Sequence, residues 1–146
     1  MAESIVVGTD GSETAGRALS EAIRLARALD AELHVVCAYE PTRHQRIKAP
    51  AGAVKVWESM PDSRVEGILS AATASARAQS VAAVSHALET EPAEALLSVA
   101  AEVGAGLIVI GNQGMHGARR VRGSVPNTVS HKARCNVLLV ATDAST

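Results

Sequence analysis

The 146-residue chain has no phenylalanine, one tryptophan and one tyrosine, although 47% of its residues are hydrophobic. A core built from it must therefore be aliphatic and rich in alanine. There are only two cysteines, Cys37 and Cys135, without C-x-x-C spacing. They form no disulfide framework or zinc cluster, and read as reduced structural thiols of a cytoplasmic protein, with a reactive or regulatory thiol as the alternative. No apolar run approaches the roughly eighteen residues that argue for a membrane span. The first strand starts at Ser4 with no basic segment ahead of it, so neither a membrane nor a signal peptide is expected. The net charge is -1, which excludes a general binder of nucleic acid or of membrane surfaces. Catalytic signatures are missing as well. There is no G-x-x-x-x-G-K-[ST], no Rossmann G-x-G-x-x-G, no G-x-S-x-G elbow and no H-E-x-x-H. At most slow hydrolysis is expected, and no catalytic residue is assigned.

What is present is organised around residues 106–125, GLIVIGNQGMHGARRVRGSV. The apolar run Leu107 to Ile110 reads as a buried strand. After it come Gly111, Gly114 and Gly117 at three-residue spacing, then Arg119, Arg120 and Arg122, then Gly123-Ser124 at the mouth of a helix. Glycine admits a close backbone approach, and helix-start amides with arginines suit phosphate. The alternative is a plain surface turn with solvated arginines. From His116 to Arg134 there are five Lys or Arg and no acid, while Glu89, Glu91, Glu94 and Glu102 precede them. A local basic patch on a near-neutral chain fits a small anion better than a long polyanion.

Elsewhere the pattern alternates between strand and helix. Ser4–Thr9 reads as the first strand, followed by the turn Thr9-Asp10-Gly11-Ser12, with Ser12 as N-cap. A helix over Glu13–Leu29 carries an apolar stripe that includes Ala18, Leu19, Ala22, Ile23, Ala26 and Leu29. The second strand is Glu32–Tyr39, where His34 reads as a partly buried polar side chain. Pro41–Met60 breaks all periodicity and reads as a flap or linker that Trp57 could anchor. The second helix is Asp62–Gln79 and the third strand Val81–Leu88, with His86 structural. Pro92 opens the third helix, which ends at Glu102 or Val103. A fourth helix runs from Val125 to about Ala133, with Pro126 in its first turn, and the last strand is Val137–Ala141. Length and pattern give one domain over 1–146, an α/β fold with a parallel five-stranded sheet covered by helices on both faces. The last strand (136–141) is apolar and carries no Lys, Pro or Glu to protect an edge.

The segments LIVIGNQG, Gly123-Ser124 and NVLLVAT, with SIVVGTDGSETAGRAL at the amino end, resemble the universal stress protein family over about 140 residues. The resemblance implies a Rossmann-like sheet of order 3-2-1-4-5, with a ligand at the switch point between strands 1 and 4. It implies an adenine nucleotide (ATP, AMP or cyclic AMP), with Mg²⁺ as an accessory ion that Asp10 could reach through phosphate. Thr9 and Asp10 would meet ribose or metal-phosphate, and the Ala38 backbone would face adenine. Gly111 and Gly114 would admit the ribose-phosphate, and Gly123, Ser124 and Val125 would hold phosphate. Asp10 also has a bland reading as a turn former. The family's last strand pairs with its copy, so a homodimer is implied, acting in stress response by ligand-dependent association. The alternatives are a dimeric interaction protein without nucleotide, or a weak ATPase. One departure stands out. Eight residues separate Gly114 from Gly123, where the family's usual spacer is nine.

Overall fold

Five runs of aliphatic residues lie side by side in one sheet. The computed structural model describes residues 3–40, 63–112 and 124–142. Its elements in chain order are β1 (Ser4–Gly8), α1 (Glu13–Leu29), β2 (Glu32–Ala38), α2 (Ser63–Ala78), β3 (Ala83–Leu88), α3 (Pro92–Val103), β4 (Leu107–Gly111), α4 (Val125–Lys132) and β5 (Asn136–Val140). All four strand pairings are parallel and the order is β3-β2-β1-β4-β5. The expected fold and strand order are therefore found.

Strand alternation divides the core into two layers. Ile5 and Val7 of β1, Leu33, Val35 and Cys37 of β2, and Val109 of β4 pack with α1 and α2 on one face. Val6, Val36, Ile108 and Ile110 point to the other face and pack with α3 and α4. Central strands buried on both sides explain why β1 and β4 read as unbroken apolar runs. Without phenylalanine, the helices present small residues to the sheet. α1 buries Ala18, Ala22, Ile23 and Ala26, and α3 buries Ala95, Leu96, Val99 and Ala100. Leu96 approaches so closely that a Cβ on Gly8 would lie 3.1 Å from its Cδ2. Each fully buried Ile or Leu, such as Ile5, Leu33 and Ile108, contributes about 1.5–3 kcal/mol.

The helix ends follow the local chemistry. Ser12 caps α1, its Oγ accepting from the Ala15 amide at 3.1 Å. At the other end Asp30 takes a left-handed conformation (φ 53°) while the Ala31 amide donates to Ala26 O. α2 and α3 close in the same way, at Ser80 (φ 62°) and Gly104 (φ 63°), with the Val81 amide on Ala76 O and the Ala105 amide on Ala100 O. This closure corrects the start of the third strand. The Val81 amide is committed to capping α2, so the ladder begins at Ala83 rather than Val81.

The other boundaries move by one or two residues. β1 ends at Gly8 and β2 at Ala38, one residue short of the expectation, yet the Thr9 amide still donates to Val36 O and the Tyr39 amide to Leu88 O, each at 2.9 Å. Only one group of each residue continues the ladder. Leu29 lies on the predicted stripe of α1 but is 51% exposed, in the last turn before the chain leaves for β2. The predicted flap at 41–60, the start of the second helix at Asp62, and Gly114, His116, Gly117, Arg119, Arg120, Arg122 and Gly123 lie outside the described residues. Among the described residues, no helix is long and apolar enough to cross a membrane.

Candidate functional site

In a sheet of this order the connections leave β1 and β4 in opposite directions, which opens a crevice at their carboxyl ends. The structure shows such a crevice. Thr9 and Asp10 after β1, Ala38 at the end of β2, Gly111 at the end of β4 and Val125 at the start of α4 all line it. Five of the predicted site residues, up to 116 positions apart in the chain, thus meet in one place. Ser124 stands beside them as the N-cap of α4, and its Oγ accepts from the Asn127 amide at 3.1 Å. That bond uses one lone pair and leaves the hydroxyl proton available to an incoming acceptor.

The lining is mixed in chemistry. Thr9, Asp10, Ser12 and Thr14 bring hydroxyls and a carboxylate. Asp10 Oδ1 accepts from the Ser12 amide at 2.9 Å, and Ser12 Oγ lies 3.1 Å from Thr14 Oγ1. The turn-forming role of Asp10 is therefore real, and the same residue lines the crevice. Gly11 permits the turn at φ 81°, and an added Cβ there would sit 2.9 Å from Ile68 of α2. The rest of the lining is largely apolar, with Val36, Ile110, Pro92, Leu96 and Pro126. Such a slot accepts a flat, poorly hydrated ring, while the polar groups accept hydroxyls or charged oxygens.

Sequence reasoning missed most of the apolar lining. Pro92 was legible only as a helix opener, and no spacing rule ties Leu96 to Gly8, on which it packs. It also missed a reason for Gly111. A Cβ there would lie 2.9 Å from Thr142 Cγ2 and 3.8 Å from the Thr14 carbonyl oxygen. Gly111 thus makes room for Thr142, which is completely buried. Thr142 is held by Asn112, whose Oδ1 accepts from the Thr142 amide at 3.0 Å and from its hydroxyl at 3.1 Å.

The two histidines of the edge region lie apart from the lining residues. His34 Nδ1 is 2.9 Å from His86 Nε2, and His34 is 5% exposed. His34 Nε2 is 2.8 Å from Glu32 Oε1, off the line of its ring N–H, so the pair is close without a hydrogen bond. Burial, then the neighbouring His34, pushes the His86 pKa down, against a smaller opposing pull from Glu102. Both cysteines are free thiols. Burial raises the pKa of each, and the Asp10 carboxylate adds to the rise at Cys37. Neither environment favours the nucleophilic thiolate. Among the described residues, no group of three or more His, Cys, Asp or Glu could hold a metal ion.

Fold and crevice together define an open parallel α/β domain with a crevice at its switch point. The universal stress protein family model matches residues 1–141, and the chain belongs to that family. It is similar to the universal stress protein Rv1636 of Mycobacterium tuberculosis, at 33% identity over 96% of this chain and 97% of the relative. The crystal structure of a universal stress protein in complex with cAMP superposes with a TM-score of 0.75 at 30% identity, covering 97% of this chain and 98% of the other. That of the Archaeoglobus fulgidus universal stress protein in complex with dAMP gives 0.67 at 27% identity, covering 94% and 96%.

Proposed function

We propose that the protein binds an adenine nucleotide in the β1/β4 crevice and acts by ligand-dependent association in a cytoplasmic stress response, rather than by turnover. One observation carries the reading: residues of six elements (β1, α1, β2, α3, β4 and α4) and of the turn after β1 line a single crevice, largely apolar with hydroxyls and one carboxylate among the lining. Adenine fits the apolar part of the lining, with the Ala38 backbone at its edge. Ribose and phosphate fit beside Thr9, Asp10, Gly111, Ser124 and Val125, with Gly114 and Gly123 completing the loop by their place in the sequence. The α4 amino end, capped by Ser124, supplies amides and the positive end of a helix dipole for phosphate. The cAMP- and dAMP-bound relatives support the same ligand class. Mg²⁺, where present, would bridge Asp10 and phosphate.

The eight-residue spacer between Gly114 and Gly123 shortens the loop's reach by up to about 3.5 Å relative to nine. That crowds the outermost phosphate more than the one next to the ribose, so AMP or cyclic AMP binds here at least as tightly as ATP. Association proceeds through β5, an edge strand whose Leu139 is 47% exposed, in a two-fold homodimer.

The test begins with protein purified without added nucleotide, read for an adenine chromophore. Melting curves with ATP, AMP and cyclic AMP follow, each with and without magnesium. Ligand at a hundred times its dissociation constant stabilises the fold by about 2.7 kcal/mol, a melting shift of roughly 5–10 °C for a domain of this size. No shift with any nucleotide would sink the reading and leave the nucleotide-free interaction protein. A shift with ATP alone would sink the preference for monophosphates.

A further inference from the structure

The base of the crevice and the sheet edge are joined by a small polar clamp. β4 ends at Gly111, which lines the crevice, and Asn112 follows it directly. The Asn112 amide donates to Val140 O at 2.9 Å, extending the β4/β5 ladder by one bond. The Asn112 side chain then turns to the same strand's continuation. Its Oδ1 receives both the amide (3.0 Å) and the hydroxyl (3.1 Å) of Thr142. The Thr142 methyl fills the place of the side chain that Gly111 lacks, and the Arg17 guanidinium of α1 donates to the Thr142 carbonyl at 3.5 Å. Thr142 is wholly buried, so both of its donors depend on Asn112 for a partner. None of the described lining residues belongs to β5.

We propose that Asn112 and Thr142 are positioning residues that mechanically link the crevice to β5, so that ligand at Gly111 tightens the end of β5 and order at β5 tightens ligand binding. The proposal rests on the nucleotide-binding reading above. Its physical basis is reciprocity. A ligand that favours the closed clamp must itself be favoured by a clamp that is already closed. The end of an edge strand is where local opening is otherwise easiest, and Asn112 Oδ1 is the acceptor that holds it shut.

The test combines calorimetry against AMP with amide hydrogen exchange across 137–142, on the wild type, Asn112→Ala and Thr142→Val. Two protein concentrations tenfold apart separate pinning by ligand from coverage of the edge by a second copy. In the wild type, AMP should slow exchange at the end of β5 by about tenfold, a usual size for coupling between sites, at both concentrations. In Asn112→Ala, AMP should still bind, about tenfold more weakly, and the slowing should vanish. Thr142→Val keeps a methyl against Gly111 and the backbone donor but lacks the hydroxyl, and it should fall between the two. AMP binding without slowing in the wild type, or equal slowing in Asn112→Ala, overturns the link. Loss of thermal stability in Asn112→Ala with unchanged AMP affinity would make the clamp purely structural and overturn it equally. No calorimetric heat with the wild type removes the nucleotide reading and the link with it, a result distinct from binding without coupling.

Discussion

Replacing Gly111 with alanine separates two reasons for a glycine at the end of β4. The added methyl carbon would lie 2.9 Å from Thr142 Cγ2 and 3.6 Å from its Oγ1. Carbon atoms settle at about 3.5–4.0 Å, so one group must shift by roughly 0.6–1 Å. Thr142 cannot move into solvent. It is fully buried, its amide and hydroxyl are both tied to Asn112, and its carbonyl receives Arg17. Overpacking of this kind destabilises by about 1–3 kcal/mol, a fall in melting temperature of roughly 3–10 °C for a chain of this length. Thr142→Ser removes the methyl that clashes and keeps the hydroxyl. Gly111→Ala in that background should therefore be milder by about 1 kcal/mol, within the range seen for contacting pairs in a double-mutant cycle. Urea denaturation of the four proteins reads both quantities. If Gly111→Ala leaves stability unchanged and only weakens nucleotide, the glycine serves the ligand alone and the packing argument is wrong. If the double variant is no better than the sum of the single ones, the strain does not fall on Thr142.

Three further outcomes are expected. Ser124→Ala removes the acceptor for the Asn127 amide and should destabilise by about 1 kcal/mol through loss of the α4 cap, and it should also weaken AMP in calorimetry. Stability lost with affinity intact would confine Ser124 to capping. Leu139→Lys places a charge on the exposed centre of the β5 edge and should shift light scattering from dimer to monomer at micromolar concentration, with the melting point of the monomer little changed; a wild type that is already monomeric counts against the interface. At His86, burial and His34 hold the pKa below the ordinary 6.5, so the unfolded chain binds the proton first. The contribution of His86 to stability is therefore complete above about pH 6.5 and is lost as pH falls from there through the folded-state value. Denaturation midpoints across pH 5–8 should show that loss reduced in His86→Gln, and equal slopes in both proteins would rule out His86 as its source.

The fold was readable because its strongest signals are local. Apolar runs short enough for strands, helices with alanine stripes, Ser12 as a cap and Pro92 and Pro126 in first turns each depend on a few neighbouring residues, and each stands where the pattern put it. The third strand was misplaced by two residues because Val81 looks apolar in sequence, while its amide is committed to closing α2 through a left-handed Ser80. The crevice was legible in part for a different reason. Thr9, Asp10, Ala38, Gly111 and Val125 sit at strand or helix ends, and the strand order alone brings such ends together. What could not be read was which surface each residue turns toward. Leu96 faces Gly8 across 88 positions and Thr142 faces Gly111 across 31, and neither pairing leaves a trace in spacing. A glycine beside a basic loop suggests an anion, yet Gly111 has a neighbour on its other side that needs the space just as much. The Thr142 methyl lies in the direction of the missing Cβ, and Gly111 lines the crevice as well. That arrangement puts the crevice-lining end of β4 and the last strand of the sheet in direct contact, so a substitution at Gly111 will also be felt at β5.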